Sequence, residues 1–340
     1  MGIQQLDKIF NPKRIALIGV SINPESVGGK VLSNLIGSGF RGVVYPVNPT
    51  AEAIQGIQCY PDMKSLPRTP DLGVICSAAS QVPGLVRECG ETGIPGIIIM
   101  SAGFREEGEE GKKLEQQILE EAKKFDGMRI IGPNCLGVIV PSLNLNVSFA
   151  PGLPRKGNIA FISQSGALCT SILDWAMEEK IGFSHFVSIG NMLEVDFGDL
   201  IDYFGEDENT HSILLYIESM TNARKFMTAA RAFAHTKPIV AYKAGRFPES
   251  AKAAASHTGA MAAEDDVFDA AFRRAGITRV FDIGDIFDCA ELIGRNKIPK
   301  GPNLGIVTNA GGPGVMASDA LIAHKGSLAV LLDDTMTNLN

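Results

Sequence analysis

The chain has 340 residues, of which 45% are hydrophobic, 20% charged and 7% aromatic, with 37 glycines and a formal net charge of -7. That length allows two or three domains, and a glycine-rich, aromatic-poor composition fits an α/β protein with many tight strand-to-helix turns rather than a β-sandwich or a disordered chain. Acids and bases are mixed without a basic face for nucleic acid, the six cysteines are widely spaced with no CxxC pair, and neither a signal peptide nor a membrane-spanning apolar run is visible. A cytoplasmic protein is expected, with no nucleic-acid or membrane partner, no disulfide framework and no metal site of its own.

In chain order, β-rich runs are predicted at 14–19, 42–47, 72–76, 96–100 and 129–131, with helices over 28–38, 82–92 and 108–125 between them. Near-continuous apolar runs such as Ile97-Ile98-Ile99-Met100 suit parallel strands covered on both faces. Right-handed crossovers then imply a doubly wound, Rossmann-like sheet. A Pro/Asn-rich passage, 140–157, is read as a linker. After it the rhythm restarts as a flavodoxin-like unit, with strands at 159–163, 186–189, 212–217 and 239–243 and helices over 167–179, 223–235 and 262–274. A second linker, 296–303, holds Pro299 and Pro302. Only a strand at 304–308, a helix over 315–324 and a strand at 328–332 follow. The expected domains are therefore 1–145, 146–298 and 299–340. The last holds only a single βαβ unit of about 30 residues, too small to enclose a core; it either docks onto the preceding domain or begins a longer one, and the second is expected, with no terminal helix.

The first strand runs into Gly19-Val20-Ser21-Ile22-Asn23-Pro24-Glu25-Ser26-Val27-Gly28-Gly29 and then a helix. A strand, a small-residue turn and a helix N-terminus form an anion site, because unpaired N–H groups and the helix dipole point at the ligand. An NAD site would need G-x-G-x-x-G here and an acid ending the second strand. The glycine spacing differs, and that strand ends Tyr45-Pro46-Val47-Asn48. Loss of the acid favours a nucleotide with a phosphorylated ribose, as in coenzyme A.

His257 lies in Ala253-Ala254-Ala255-Ser256-His257-Thr258-Gly259-Ala260. The segment has no large side chain to bury and is broken by small residues, so a weakly packed loop is predicted. An imidazole there can serve as a transient nucleophile for phosphate. A phosphohistidine needs donors, and two strand-to-helix turns could supply backbone amides: Ser163-Gln164-Ser165-Gly166 and Thr308-Asn309-Ala310-Gly311-Gly312. Glu218 ends an apolar strand, at the sheet edge where open α/β folds place ligands. Its carboxylate could hold one imidazole nitrogen and so orient the other.

These motifs, with Gly132-Pro133-Asn134-Cys135-x-Gly137, resemble over essentially the whole chain the α-type part of ADP-forming acetyl-CoA (acyl-CoA) synthetases, relatives of the succinyl-CoA synthetase α subunit. The resemblance implies a Rossmann-like CoA-binding domain, a flavodoxin-like ligase domain and the start of a third α/β domain. It implies attack of phosphate on acyl-CoA, release of coenzyme A, and transfer of the phosphoryl group from acyl phosphate to His257 and on to ADP. Gly19, Ser21, Pro24, Ser26, Val27 and Gly28 would bind coenzyme A, and Asn134 would lie near the acyl group. Ser165, Gly166, Gly311 and Gly312 would cradle phosphate, and Glu218 would orient His257. Nothing in the sequence has the glycine-rich hairpin and metal carboxylates of an ATP-grasp domain. ADP/ATP and Mg²⁺ are therefore expected on a partner subunit or a downstream domain, within an oligomer. The alternative is a non-catalytic CoA-sensing module of a protein acetyltransferase, which has no need of a phosphorylatable histidine.

Overall fold

The computed structural model describes residues 5–247, 250, 264–294 and 301–339, in two compact units, 1–295 and 296–340. The first unit opens with α1 (Leu6–Phe10), β1 (Arg14–Ile18), α2 (Val27–Gly37), β2 (Val43–Val47), a short hairpin of β3 (Ala53–Ile54) and β4 (Ile57–Gln58), and β5 (Leu72–Ile75). It continues with α3 (Val82–Thr92), β6 (Gly96–Ile99), α4 (Glu109–Ala122) and β7 (Arg129–Ile131). Five of these strands form a parallel sheet in the order β2-β1-β5-β6-β7. Strands β5 and β6 are buried at every position, as their unbroken apolar runs require. The order reverses between β1 and β5, so the crevice at their carboxyl ends is the ligand position of a doubly wound sheet.

The passage 140–157 departs from its reading as a linker. Strands β8 (Gly137–Val140) and β9 (Leu145–Ser148) form an antiparallel hairpin, and β8 pairs antiparallel with β11 (Gly182–Ser188) at the edge of the second sheet. Its prolines and asparagines sit in turns and anchors. Asn144 takes the left-handed turn position at φ 53°, and Asn146 Nδ2 donates to Gly152 O at 2.7 Å. Asn34 of α2 donates to Ser148 O at 2.7 Å and Ala150 O at 2.8 Å, so the hairpin is also tied to the first sheet's helix layer.

The second sheet runs β14-β13-β12-β10-β11-β8-β9. Its parallel strands are β10 (Arg155–Ser163), β11, β12 (Ser212–Ile217), β13 (Ile239–Lys243) and β14 (Thr278–Val280). Counted in chain order they lie 2-1-3-4-5, a flavodoxin-like arrangement. The helices are α5 (Gly166–Glu178), α6 (Phe197–Glu206), α7 (Ala223–Phe233), α8 (Asp265–Ala275) and α9 (Ile283–Gly294). The expected strand at 186–189 begins four residues earlier. Helix α6, absent from the sequence reading, starts on a capping box in which Asp196 and Asp199 each accept from the other's backbone amide. A single apolar cluster runs through both sheets, from Leu17 and Leu72 to Val138, Ile162 and Phe204.

The second unit comprises β15 (Asn303–Leu304), α10 (Gly311–Ala323), β16 (Ser327–Leu328) and α11 (Asp333–Leu339), with β15 and β16 parallel. The strands are shorter than expected, and α11 is a helix the sequence reading omitted. Its start carries Asp333 and Asp334, favourable charges for a helix N-terminus. None of its described residues is buried, in line with a βαβ unit too small for its own core.

Candidate functional site at the carboxyl edges of two sheets

The turn after β1 is built for close approach. Gly19 has φ +81°, and a Cβ there would collide with the Ser77 hydroxyl at the end of β5. Ser26 caps α2 by accepting from Gly29 N at 3.1 Å. Gly28 is buried, and a Cβ on it would lie 2.9 Å from Val20 Cα. Its glycine therefore lets the helix start pack on the turn. Ser21 accepts from Asn23 N at 3.2 Å, Pro24 is exposed, and Val27 is 40% exposed. Asn48, where an NAD site has its acid, donates to Val20 O at 2.7 Å and accepts from the amides of Thr50 and Ala51. That side chain is committed to shaping the turn and is missing its negative charge. A cavity of about 500 Å³ borders Gly19 and Ser77 at the strand-order reversal. Asp62 and Glu88 on its wall can accept from ribose hydroxyls or an adenine amino group but would repel a phosphate.

A second cavity, about 520 Å³, brings several predicted residues together: Val27 from the first turn, Asn134 after β7, and Ser165 and Gly166 at the start of α5. Cys76, Met100, Cys135, Leu136 and Phe149 give it an apolar side. Burial pushes the Cys76 thiol up to about 12 and raises Cys135 as well. Both are neutral at pH 7 and act as wall rather than as nucleophiles. Asn134 has φ +56°, and its amide donates to Ser101 O at 2.8 Å. The peptide Gly132-Pro133 before it is cis.

At the α5 end, Ser165 Oγ accepts from Leu168 N at 3.2 Å. The first-turn amides of Gly166 and Ala167 have no intrahelical acceptor and so are available to an anion. The turn itself is held by Ser163, whose hydroxyl donates to Ser165 O at 3.1 Å and accepts from Ser165 N at 3.0 Å. Thr308 and Ala310 repeat this pair of bonds at 3.0 and 3.1 Å ahead of α10. There Gly311 and Gly312 are exposed with open space around the Cβ position. The same local device thus opens both predicted cradles.

Gln164 is the functional residue that the motif contained but the sequence reading gave no role. Buried to 7% exposure, it accepts from Glu218 N at 2.6 Å and Ser219 N at 2.9 Å, and donates to Ser219 Oγ at 3.0 Å. It thereby locks the turn bearing Glu218 to the turn bearing Ser165. Beside Glu218, Lys243 ends the neighbouring strand β13, in register with Ile217. Burial pushes its ammonium pKa below the ordinary value, against the attraction of Asp265 and Glu218.

His257, with Ser256, Thr258 and Gly259, lies outside the described residues. The described chain on either side of it is tied together. Arg246 Nε lies 3.7 Å from Asp265 Oδ2, and Arg279 pairs with Asp265 and, at 3.5 Å, with Asp269. The chain thus leaves and rejoins the second sheet at one place, next to Lys243. Among the described residues, no group of three His, Cys, Asp or Glu could hold a metal ion, and no helix is long and apolar enough to cross a membrane.

Two family models match, one for each sheet: a CoA binding domain over residues 13–141 and a succinyl-CoA ligase like flavodoxin domain over residues 156–293. The chain is 44% identical, over 93% of its length and 69% of the relative's, to the alpha subunit of acetate–CoA ligase [ADP-forming] I from Pyrococcus furiosus. It is 42% identical to the acetate–CoA ligase [ADP-forming] I of Archaeoglobus fulgidus, covering 93% of this chain and 45% of that one. Among solved structures, the dinucleotide forming acetyl-coenzyme A synthetase 1 of Ca. Korarchaeum cryptofilum, in complex with phosphate and ADP, matches with a TM-score of 0.91 and 38% identity over 95% of this chain and 70% of that one. The chain belongs to the family of ADP-forming acetate–CoA ligases and corresponds to their alpha-subunit part.

Proposed function

We propose that the chain is the component of an ADP-forming acyl-CoA synthetase that handles acyl-CoA and phosphate. The observation that carries this reading is the 520 Å³ cavity, where the CoA-side residue Val27, Asn134 and the open α5 amides of Gly166 and Ala167 meet. Phosphate held at those amides attacks the thioester carbonyl. A C–O bond forms, the C–S bond breaks, and coenzyme A leaves as thiolate or thiol. The acyl phosphate then gives its phosphoryl group to a neutral imidazole nitrogen of His257 and departs as carboxylate. Such transfer asks chiefly for positioning and charge neutralisation, which helix N-termini supply without being consumed. Glu218, tied by Gln164 to the same turn, is the acceptor that orients His257.

ADP and Mg²⁺ are assigned to an ATP-grasp partner or a further domain, where ADP takes the phosphoryl group from His257. Gly311 and Gly312, at the start of α10, are proposed as the second cradle. The reading predicts that ATP plus the ATP-grasp partner, or acetyl phosphate alone, gives an acid-labile phosphoprotein. His257→Ala abolishes the label and Glu218→Gln slows its appearance at least about 10-fold, the scale of one lost charge-assisted hydrogen bond. A label that survives in His257→Ala would refute the relay.

A further inference from the structure

We infer that Asn191 is a positioning residue: anchored by two carboxylates, it turns the Asn134 carboxamide so that one N–H faces the acyl carbonyl of a thioester in the 520 Å³ cavity. The inference rests on reading that cavity as the acyl-CoA site.

Asn191 follows β11 and is 7% exposed. Its own amide donates to Pro133 O at 2.9 Å, and Leu193 N donates to Gly132 O at 3.0 Å. The loop after β11 is therefore fastened to the one that carries Asn134. Gly190 before it has φ +51°, and a Cβ there would strike the Pro133 and Asn134 carbonyls, so only glycine permits the approach. The Asn191 side-chain nitrogen donates to Glu106 Oε2 and to Glu115 Oε1, both at 2.8 Å. An ionised carboxylate only accepts, so a flipped amide would set its oxygen against two acceptors in a buried site.

That fixes the direction of the chain of bonds. Glu106 is itself held by Gly103 N at 2.8 Å and Phe104 N at 3.0 Å, and Arg105 Nε stands 3.8 Å from Glu115 Oε1. With the Asn191 amide nitrogen taken, its oxygen faces Asn134 and receives Asn134 Nδ2 at 3.4 Å. An acceptor at that place requires the nitrogen side of the Asn134 carboxamide. One Asn134 N–H is used there, and its second N–H remains for the cavity it lines. Two neighbouring donors on the cavity wall are already engaged, since the Ser101 hydroxyl donates to Ser77 O and the Thr170 hydroxyl to Gly166 O. A donor aimed at the thioester oxygen would strengthen its bond as that oxygen gains charge during attack.

The test uses calorimetric affinities of the protein for coenzyme A, acetyl-CoA and S-ethyl-CoA, a thioether lacking the carbonyl. The wild type is expected to prefer acetyl-CoA to S-ethyl-CoA by about 10-fold, the value of one net hydrogen bond. Asn134→Ala and Asn191→Ala should each bring that ratio to about 1 while leaving affinity for free coenzyme A within about two-fold. The double variant should be no worse than either single one, as for residues acting through one contact. If Asn191→Ala weakens all three ligands alike and keeps the ratio, its role is structural and the inference is overturned. If the wild type has no preference, or Asn134→Ala retains it, the reading of Asn134 itself fails. Should Asn191→Ala not bind free coenzyme A, Asn191→Ser, which keeps a small polar side chain at this buried position but is too short to reach Asn134, carries the same expectation and the same refutation.

Discussion

At the residue scale, the side chain that joins the parts of the site is Gln164. One carboxamide oxygen, on a buried side chain, accepts two successive amides, the half-buried Glu218 N and the buried Ser219 N. Gln164→Ala would take the acceptor away from both amides, and losing a buried hydrogen-bond partner costs about 1–3 kcal/mol. Urea unfolding should report a loss of roughly that size, and phosphohistidine formation should slow as Glu218 loses its fixed place. An unchanged midpoint together with an unchanged rate would remove Gln164 from the account. Gln164, Asn48 and Asn191 were not legible as functional from the sequence, because each acts through a partner far away in the chain. The Gly19 turn, Ser165 and Glu218 stand out in the sequence because a strand end followed by small residues is itself the signal. The roles of His257, Glu218 and the cradles follow from their own residues and are implied again by the family resemblance, whereas that of Asn134 comes from the resemblance alone.

At the element scale, the link between the sheets passes through aromatic packing as well as the β8–β9 hairpin. Phe10 of α1 lies 5.5 Å from the His185 ring of β11 and 4.9 Å from Tyr203 of α6, centroid to centroid. Burial pushes the His185 pKa from 6.5 down to about 4, against the attraction of Asp207. The sign follows from linkage: the unfolded chain takes up a proton near pH 6.5, whereas the folded one resists until near pH 4. Stability from this site is whole above pH 6.5 and declines as pH falls through that window. His185→Phe should therefore lose less stability than the wild type between pH 7 and 4.5, read from denaturant midpoints. Parallel pH profiles would contradict the assignment. The hairpin itself was missed in the sequence because its prolines and asparagines read as linker, although Leu145-Asn146-Val147-Ser148 alternates as a strand does. All four of those residues are buried. Most other strands were legible, since long apolar runs between glycine-rich turns leave few alternatives.

At the scale of the whole molecule, the two sheets present their carboxyl edges to one cavity, while the chain spans 69% and 45% of the two Pyrococcus and Archaeoglobus relatives. Under the proposed division of labour, nucleotide binds on an ATP-grasp partner or a further domain. Isothermal titration should give no saturable ADP binding to the chain alone and saturable binding once the ATP-grasp partner is present. Tight ADP binding to the chain alone would contradict that division. The central claim, that phosphate entering beside the thioester ends on an imidazole, is tested most directly by incubating the protein with acetyl-CoA and phosphate. Mass spectrometry should place the phosphoryl group on His257, with one coenzyme A released for each group bound. Release of coenzyme A with no phosphate on His257, or phosphate on another residue, would contradict it.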